Sequence, residues 1–299
     1  MITKENISAW FQNLQTDICN ALEQADGVGK FSRETWERPG GGGGLTRAFA
    51  GAIIEKGGVN FSAVHGKMPE ATSKILKVPH ADNFFATGVS IVLHPSNPFV
   101  PIIHMNVRYF ELSNGINWFG GGIDLTPHYI DTADAKYFHS KLKEVCDQHH
   151  TTYYPEFKKW ADDYFYISHR SETRGVGGIF FDRLKADEQF TKQARWDFVK
   201  SVGEAFAPIY TYYMNKNNAI PFTEQNKYWQ YLRRGRYAEF NLVWDAGTKF
   251  GLETDGRTES ILMSLPPMAC WEYNNQPETD SAEANTLSLL KKDIDWLNS

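Results

Sequence analysis

The stretch from Ser90 to Pro127, SIVLHPSNPFVPIIHMNVRYFELSNGINWFGGGIDLTP, gathers two histidines, an arginine, an aspartate and three consecutive glycines within alternating apolar text. In an extended strand, side chains at i, i+2 and i+4 share a face. His104, Asn106 and Arg108 therefore point one way, and Met105, Val107 and Tyr109 the other. One strand earlier, Ser90 and His94 share a face in the same manner. Pro95, Pro98 and Pro101 cannot sit in a central ladder and mark the turnaround between the two strands. A polar face of Ser, His, Asn and Arg backed by an apolar face is the wall of a binding cleft.

Arg108 beside Asn106 has the geometry to hold a carboxylate through parallel hydrogen bonds. It can equally form a structural ion pair with Asp124, and the two readings are compatible. Asp124 follows Gly120, Gly121 and Gly122, and glycines inside a strand mark the close approach of a ligand or another backbone. His94, His104, His139 and His169 lie in otherwise regular elements, where imidazole suits proton transfer or a divalent metal. No HExxH or comparable spacing joins them. His80 and Asp82 have the spacing to open an iron triad of two histidines and a carboxylate, although no third ligand is evident. Gly40 to Gly44 lacks the GK[ST] ending of a phosphate loop and reads as a mobile loop. The basic run Arg233, Arg234 and Arg236, with Arg257 in the segment TDGR, can supply local positive potential for a polyanion.

Around these residues, Ile7 to Ala25 has helical apolar spacing ended by Gly27, and strand text follows at 49–54 and 59–64. Residues 66–83 read as a connecting loop, and 87–94, 102–112 and 118–126 as an antiparallel meander. Helices are expected from Thr132, as N-cap, to Cys146, over 156–169, over 188–215 with a break at Pro208, and over 281–297. Between the last two, 237–244, 249–253 and 260–265 read as strands, with Asp255-Gly256 as a hairpin turn. No repeat or linker divides the chain, so residues 1–299 are expected to form one α+β domain on a mostly antiparallel sheet.

The formal net charge of −5 argues against nucleic-acid or anionic-membrane partners. Three cysteines with no close pair exclude a disulfide scaffold and fit a reducing compartment. The N-terminus carries no signal- or transit-peptide pattern, and no apolar run approaches a membrane span, so a cytoplasmic location is expected. An aromatic content of 14% suits a pocket for a large flat ligand.

The segments GVSIVLHPSNPFVP, HMNVRYFE, WFGGGIDLTP, YFYISHRSETRGVGGIFFD, YLRRGRYAEFNLVWDAGTKFGL and GRTESILMSLPP together resemble the oxygen-dependent coproporphyrinogen-III oxidases, in their bacterial form. The resemblance runs from about Asn13 to the C-terminus. It implies a large antiparallel sheet covered by helices on both faces, and a homodimer joined through about 237–272. It also implies oxidative decarboxylation of two of the four propionates of coproporphyrinogen III to vinyl groups. That reaction consumes O2 and releases CO2 and hydrogen peroxide.

Carried over by motif, Ser90, Asn106, Val107, Arg108, Asp255, Gly256 and Arg257 would touch substrate. His94, His104, His139 and His169 would hold a divalent metal cation, with His104 also a proton donor. Asp124 would hold the pyrrole N–H groups. Asp255 stands where bacterial relatives have glycine, and a carboxylate there would repel propionates. No flavin, nicotinamide or haem motif occurs, in keeping with an electron-rich substrate that itself reacts with O2. Two other readings stay open: a non-haem iron oxygenase using His80 and Asp82, and a tetrapyrrole carrier without catalysis.

Overall fold

Alternating apolar residues build a seven-stranded antiparallel sheet from β1 (Glu34–Glu37), β2 (Gly42–Phe49), β3 (Ile54–Lys67), β4 (Asn83–Pro95), β5 (Ile102–Leu112), β6 (Asn117–Thr126) and β9 (Gly177–Leu184), in that spatial order. A small ribbon pairs β7 (Tyr166–Ile167) with β8 (Glu172–Thr173). The computed structural model describes residues 2–68, 70, 73–74, 77–79, 81–253 and 256–299. The expected α+β class and the meander β4–β5–β6 are both present.

One sheet face is apolar: Val59, Ile91, Met105, Ile123 and Ile179 lie in register across it, all fully buried. The helices α1 (Lys4–Asp26), α2 (Thr132–Asp147), α3 (Tyr153–Tyr164) and α4 (Lys192–Asn217) cover this face and the β9 edge with the main hydrophobic core. The opposite face is polar and is roofed by α5 (Glu224–Glu239), a π-helical turn (Phe240–Trp244), α6 (Ala246–Glu253) and α7 (Thr258–Leu262). Lys56 Nζ donates to Leu265 O at 2.7 Å, and Asn60 Nδ2 to Ser260 O at 3.4 Å, tying that roof to β3. A last helix, α8 (Ala282–Leu289), follows. None of the described helices is long and apolar enough to cross a membrane.

Several expectations are corrected. The segment expected as strands at 237–244, 249–253 and 260–265 has no strand among its described residues: 237–244, 249–253 and 260–262 are helical, and 263–265 form a turn. Its even-numbered apolar run, Ala238, Phe240, Leu242 and Trp244, mimics strand alternation. Burial instead follows Tyr237, Ala238, Phe240 and Asn241, a helical grouping that leaves Leu242, Val243 and Trp244 outside. Gly42, Gly43 and Gly44 are strand residues of β2 and not a mobile loop. A Cβ on Gly43 or Gly44 would strike the backbone of Trp36 or Phe61, so the neighbouring strands admit only glycine there. The expected strand at 49–54 is mostly the turn between β2 and β3. Asp131, and not Thr132, caps α2, its carboxylate accepting from the N–H groups of Ala133 and Asp134. The helix expected over 156–169 ends at Tyr164, and Pro208 sits within α4 without ending it. Helix α5 and strand β9 were not anticipated.

Asp26, the last residue of α1, fastens that helix to the sheet. Its buried carboxylate accepts the backbone N–H groups of Gly29, Ala52, Ile53 and Ile54 at 2.7–3.2 Å. Burial pushes its pKa up, but the four donors more than offset this and hold it below the ordinary value. A depressed folded-state pKa adds stability above the unfolded value of about 4, and that stability is lost as pH falls through the folded value. Asp26→Asn should therefore cost about 1.5–3 kcal/mol at pH 7, and much less in acid, in urea unfolding compared at the two pH values.

Candidate active site

Strand register lays the polar face out in rows. Thr46, Asn60, Ser90, Asn106, Gly122 and Phe180 form one row, and Gly44, Ser62, Gly88, Arg108 and Gly120 the next. Small side chains and glycines make this a flat floor. At Gly120, an added Cβ would lie 2.5 Å from Asp182 Oδ1 and 2.9 Å from Arg108 Cζ, so only glycine lets those two side chains lie across the sheet. Arg108 Nη1 donates to Asn106 Oδ1 at 2.8 Å, and Nη2 to Asp182 Oδ1 at 2.9 Å. At the far side, Arg257 donates to Glu34 and reaches Thr46 Oγ1 at 3.5 Å. The two arginines are anchored on β5 and β2, three strand spacings or about 14 Å apart. Tyr164 stacks on Phe180 with ring centroids 4.2 Å apart, and Trp160 meets Phe180 edge-on, forming an aromatic wall along β9.

The third row is Gly58, Val92, His104, Asp124 and Gly178, and it runs under the roof. Asp124 is only 2% exposed. Its Oδ1 accepts from His104 Nδ1 at 2.8 Å and from Arg174 Nη2 at 2.7 Å, and its Oδ2 from Arg174 Nε at 3.1 Å. The Arg174 guanidinium sits 4.3–4.7 Å from the ring centroids of Phe165, Tyr237 and Phe240, an aromatic cage that replaces its hydration. Burial pushes the Asp124 carboxyl up, but Arg174 and His104 hold it below its ordinary value. An ionised Asp124 makes Nδ1 the protonated nitrogen of His104. The imidazole is thereby oriented with Nε2 as the nitrogen free to exchange a proton.

The structure therefore gathers Ser90, Asn106, Arg108 and Arg257 around one floor, with His104 at its deep end, while the Gly256 N–H donates to Gly251 O at 2.8 Å within the roof. Val107 is an exception: its side chain is fully buried on the opposite face. The Arg108–Asp124 ion pair allowed by the sequence is replaced by two separate pairs, Arg108–Asp182 and Arg174–Asp124. The carboxylate of Asp124, 2% exposed, already accepts three hydrogen bonds from His104 and Arg174. Asp255 and His80 lie outside the described residues.

The four histidines do not converge. His94 donates from Nε2 to Ser264 O at 2.8 Å, and burial depresses its pKa to about 3. His139 lies in the core beneath the other face, with Nδ1 2.9 Å from Tyr154 Oη and Nε2 2.9 Å from Val176 O. His169 is exposed, bound to Glu239 at 2.7 Å and to Trp244 Nε1 at 2.9 Å. With both ring nitrogens of His139 occupied inside the core, this set does not fit a shared divalent cation. Among the described residues, no three His, Cys, Asp or Glu are grouped to hold a metal.

Sequence reasoning missed Arg174, Asp182 and Phe180. The last two share a face in GGIFFDRL, a signal available once that run is recognised as a strand. Arg174, in the loop text SETRGVGG, carries no periodic signal.

Such a floor, with two arginines and a buried His–Asp–Arg chain, defines an enzyme for a flat anionic substrate. Residues 6–296 match the family model described as coproporphyrinogen III oxidase. The chain is 48% identical to the mitochondrial oxygen-dependent coproporphyrinogen-III oxidase of Rattus norvegicus over 99% of its length and 69% of that protein. It is 47% identical to the chloroplastic oxygen-dependent coproporphyrinogen-III oxidase of Glycine max (95% and 77%), and 48% identical to the oxygen-dependent enzyme of Drosophila melanogaster (95% and 76%). The chain belongs to the coproporphyrinogen III oxidase family.

Removing one partner of a buried ion pair strands the other charge. Arg174→Met should cost about 3–5 kcal/mol and lower the melting temperature by roughly 10 °C in calorimetry. Arg174→Met combined with Asp124→Leu should recover part of that loss.

Proposed function

We propose that this chain is an oxygen-dependent coproporphyrinogen-III oxidase. It converts two propionates of coproporphyrinogen III to vinyl groups and yields protoporphyrinogen IX for haem biosynthesis. The observation that carries this reading is the whole-chain family match joined to the glycine-paved floor between Arg108 and Arg257. A flat macrocycle with carboxylates on its rim needs such a floor, with cations set apart at its margins.

Each propionate carboxylate, with one O2 and one proton, becomes a vinyl group, one CO2 and one H2O2. The carboxylate leaves as neutral CO2, the substrate gives up two electrons, and O2 accepts them. Beyond the hydrogen lost by the substrate, one proton must be delivered per turn. His104, held through Nδ1 by Asp124, offers Nε2 for that transfer. Arg108, assisted by Asn106, is the anchor for the departing carboxylate. Asp124 and Arg174 set the imidazole's tautomer and orientation. Oxygen is a co-substrate, and the chemistry calls for no flavin, nicotinamide or haem.

The cysteines Cys19, Cys146 and Cys270 are all free, which supports a reducing compartment such as the cytoplasm. The segment 237–272 leaves Leu242, Val243, Trp244, Leu252, Met268 and Trp271 exposed at 40–56%. That apolar surface supports a homodimer joined through it. Sedimentation should find a species of twice the 34.1 kDa chain mass at micromolar concentration. A single 34.1 kDa species would exclude it.

Purified protein incubated with coproporphyrinogen III should form protoporphyrinogen IX and CO2 in air, without added cofactor, and form neither under strict anaerobiosis. Stoichiometric binding with no CO2 release would establish a carrier instead. Arg108→Ala should weaken substrate binding about ten- to a hundredfold. His104→Gln should lower kcat about 10²–10⁴-fold while leaving the melting temperature near that of the parent, as measured by steady-state kinetics and calorimetry.

A further inference from the structure

The cleft floor holds a carboxylate that the proposed chemistry does not use. Asp182 follows core-facing Phe181 on β9, so its side chain is directed to the polar face, where it is 31% exposed. The β6–β9 register slips between Phe119 and Gly121, and the next residue, Arg183, has a positive φ of 52°. A bulge with a non-glycine residue in the left-handed region is an energetically costly way to continue a strand, and bulges re-aim side chains. Here the bulge faces Gly120 and lays the Asp182 carboxylate across it, with Oδ1 2.9 Å from Arg108 Nη2.

A carboxylate beside the arginine that anchors an anionic substrate is a competitor for that arginine. The reaction itself explains its presence. Decarboxylation removes the very anion that Arg108 holds, leaving a guanidinium beneath a neutral vinyl group. We propose that Asp182 is a positioning residue that acts through Arg108 as a built-in stand-in for propionate. It cedes Arg108 to an arriving carboxylate and reclaims it when CO2 leaves, resetting the site and favouring displacement of the decarboxylated ring. The inference rests on the reading of Arg108 as the propionate anchor.

The test uses the full-length protein and two stable porphyrins, coproporphyrin III with four carboxylates and protoporphyrin IX with two, titrated by fluorescence quenching. Asp182→Asn retains the shape and removes the competing charge. It should bind coproporphyrin III about tenfold more tightly than the parent while gaining nothing for protoporphyrin IX. In turnover, its KM and kcat should both fall, because substrate is held better and the site resets more slowly. If Asp182 serves only to hold Arg108 in place, Asp182→Asn will bind coproporphyrin III more weakly or unchanged, and the proposal is overturned. In an Arg108→Ala background the Asp182→Asn gain should vanish; a gain that persists there means direct repulsion of substrate and also overturns it. Arg108→Ala alone leaving coproporphyrin III affinity unchanged would instead refute the anchor reading. Melting temperatures of each variant separate these outcomes from loss of fold.

Discussion

A buried ion pair, Arg174 with Asp124, joins the polar face of the sheet to the elements that roof it. Asp124 belongs to β6, Arg174 to the segment leading into β9, and the rings around the guanidinium come from the end of α3, from α5 and from the π-helical turn. The desolvation of two such charges is seldom repaid in net stability, so a pair of this kind is better understood as a device for geometry. It has only one satisfactory arrangement, in which the His104 imidazole is also fixed. Catalytic posture and roof placement are thus consequences of one contact.

The rest of the cleft is defined by what is missing from it. Gly44, Gly88, Gly120 and Gly122 leave bare backbone in the floor, and each would bring an added Cβ within about 3 Å of neighbouring atoms. A strand rich in glycine loses packing area and pays conformational entropy. Flanking β-branched and aromatic residues on the opposite face, such as Val89, Val107, Phe119 and Ile123, compensate by burying completely or nearly so. One face supplies cohesion and the other supplies shape.

Much of this was legible before the structure. The meander β4–β5–β6 could be read because one buried and one half-polar face impose strict alternation, and because three prolines mark the reversal. From it the faces of Ser90, His104, Asn106 and Arg108 followed. The region after Trp229 was opaque for a physical reason. Helix α5 buries Gln230, Arg233 and Arg234, polar residues hydrogen-bonded to Pro95, Glu172 and Glu55, so it lacks the apolar stripe that announces a helix. The histidines misled in another way. His139 has the residue type of a ligand but spends both nitrogens on core hydrogen bonds, a fact only tertiary structure reveals. The pairing of Arg108 was misjudged because β9, which brings Asp182, lies over fifty residues downstream of β6.

The strand order has a consequence for how the molecule comes into being. From β1 to β6 each strand pairs with the one just before it in the chain, and only β9 must return from a distance. Pairings of short loop length close at low entropic cost, so a nascent chain can lay down six strands in the order of synthesis. The cation that neutralises Asp124 arrives fifty residues later, and the roof later still. Until then the polar face is an unroofed surface with an uncompensated carboxylate. The catalytic pocket is therefore completed only after α4 has covered the apolar face, and a ribosome-bound intermediate that already has strands β1 to β6 cannot yet bind a tetrapyrrole.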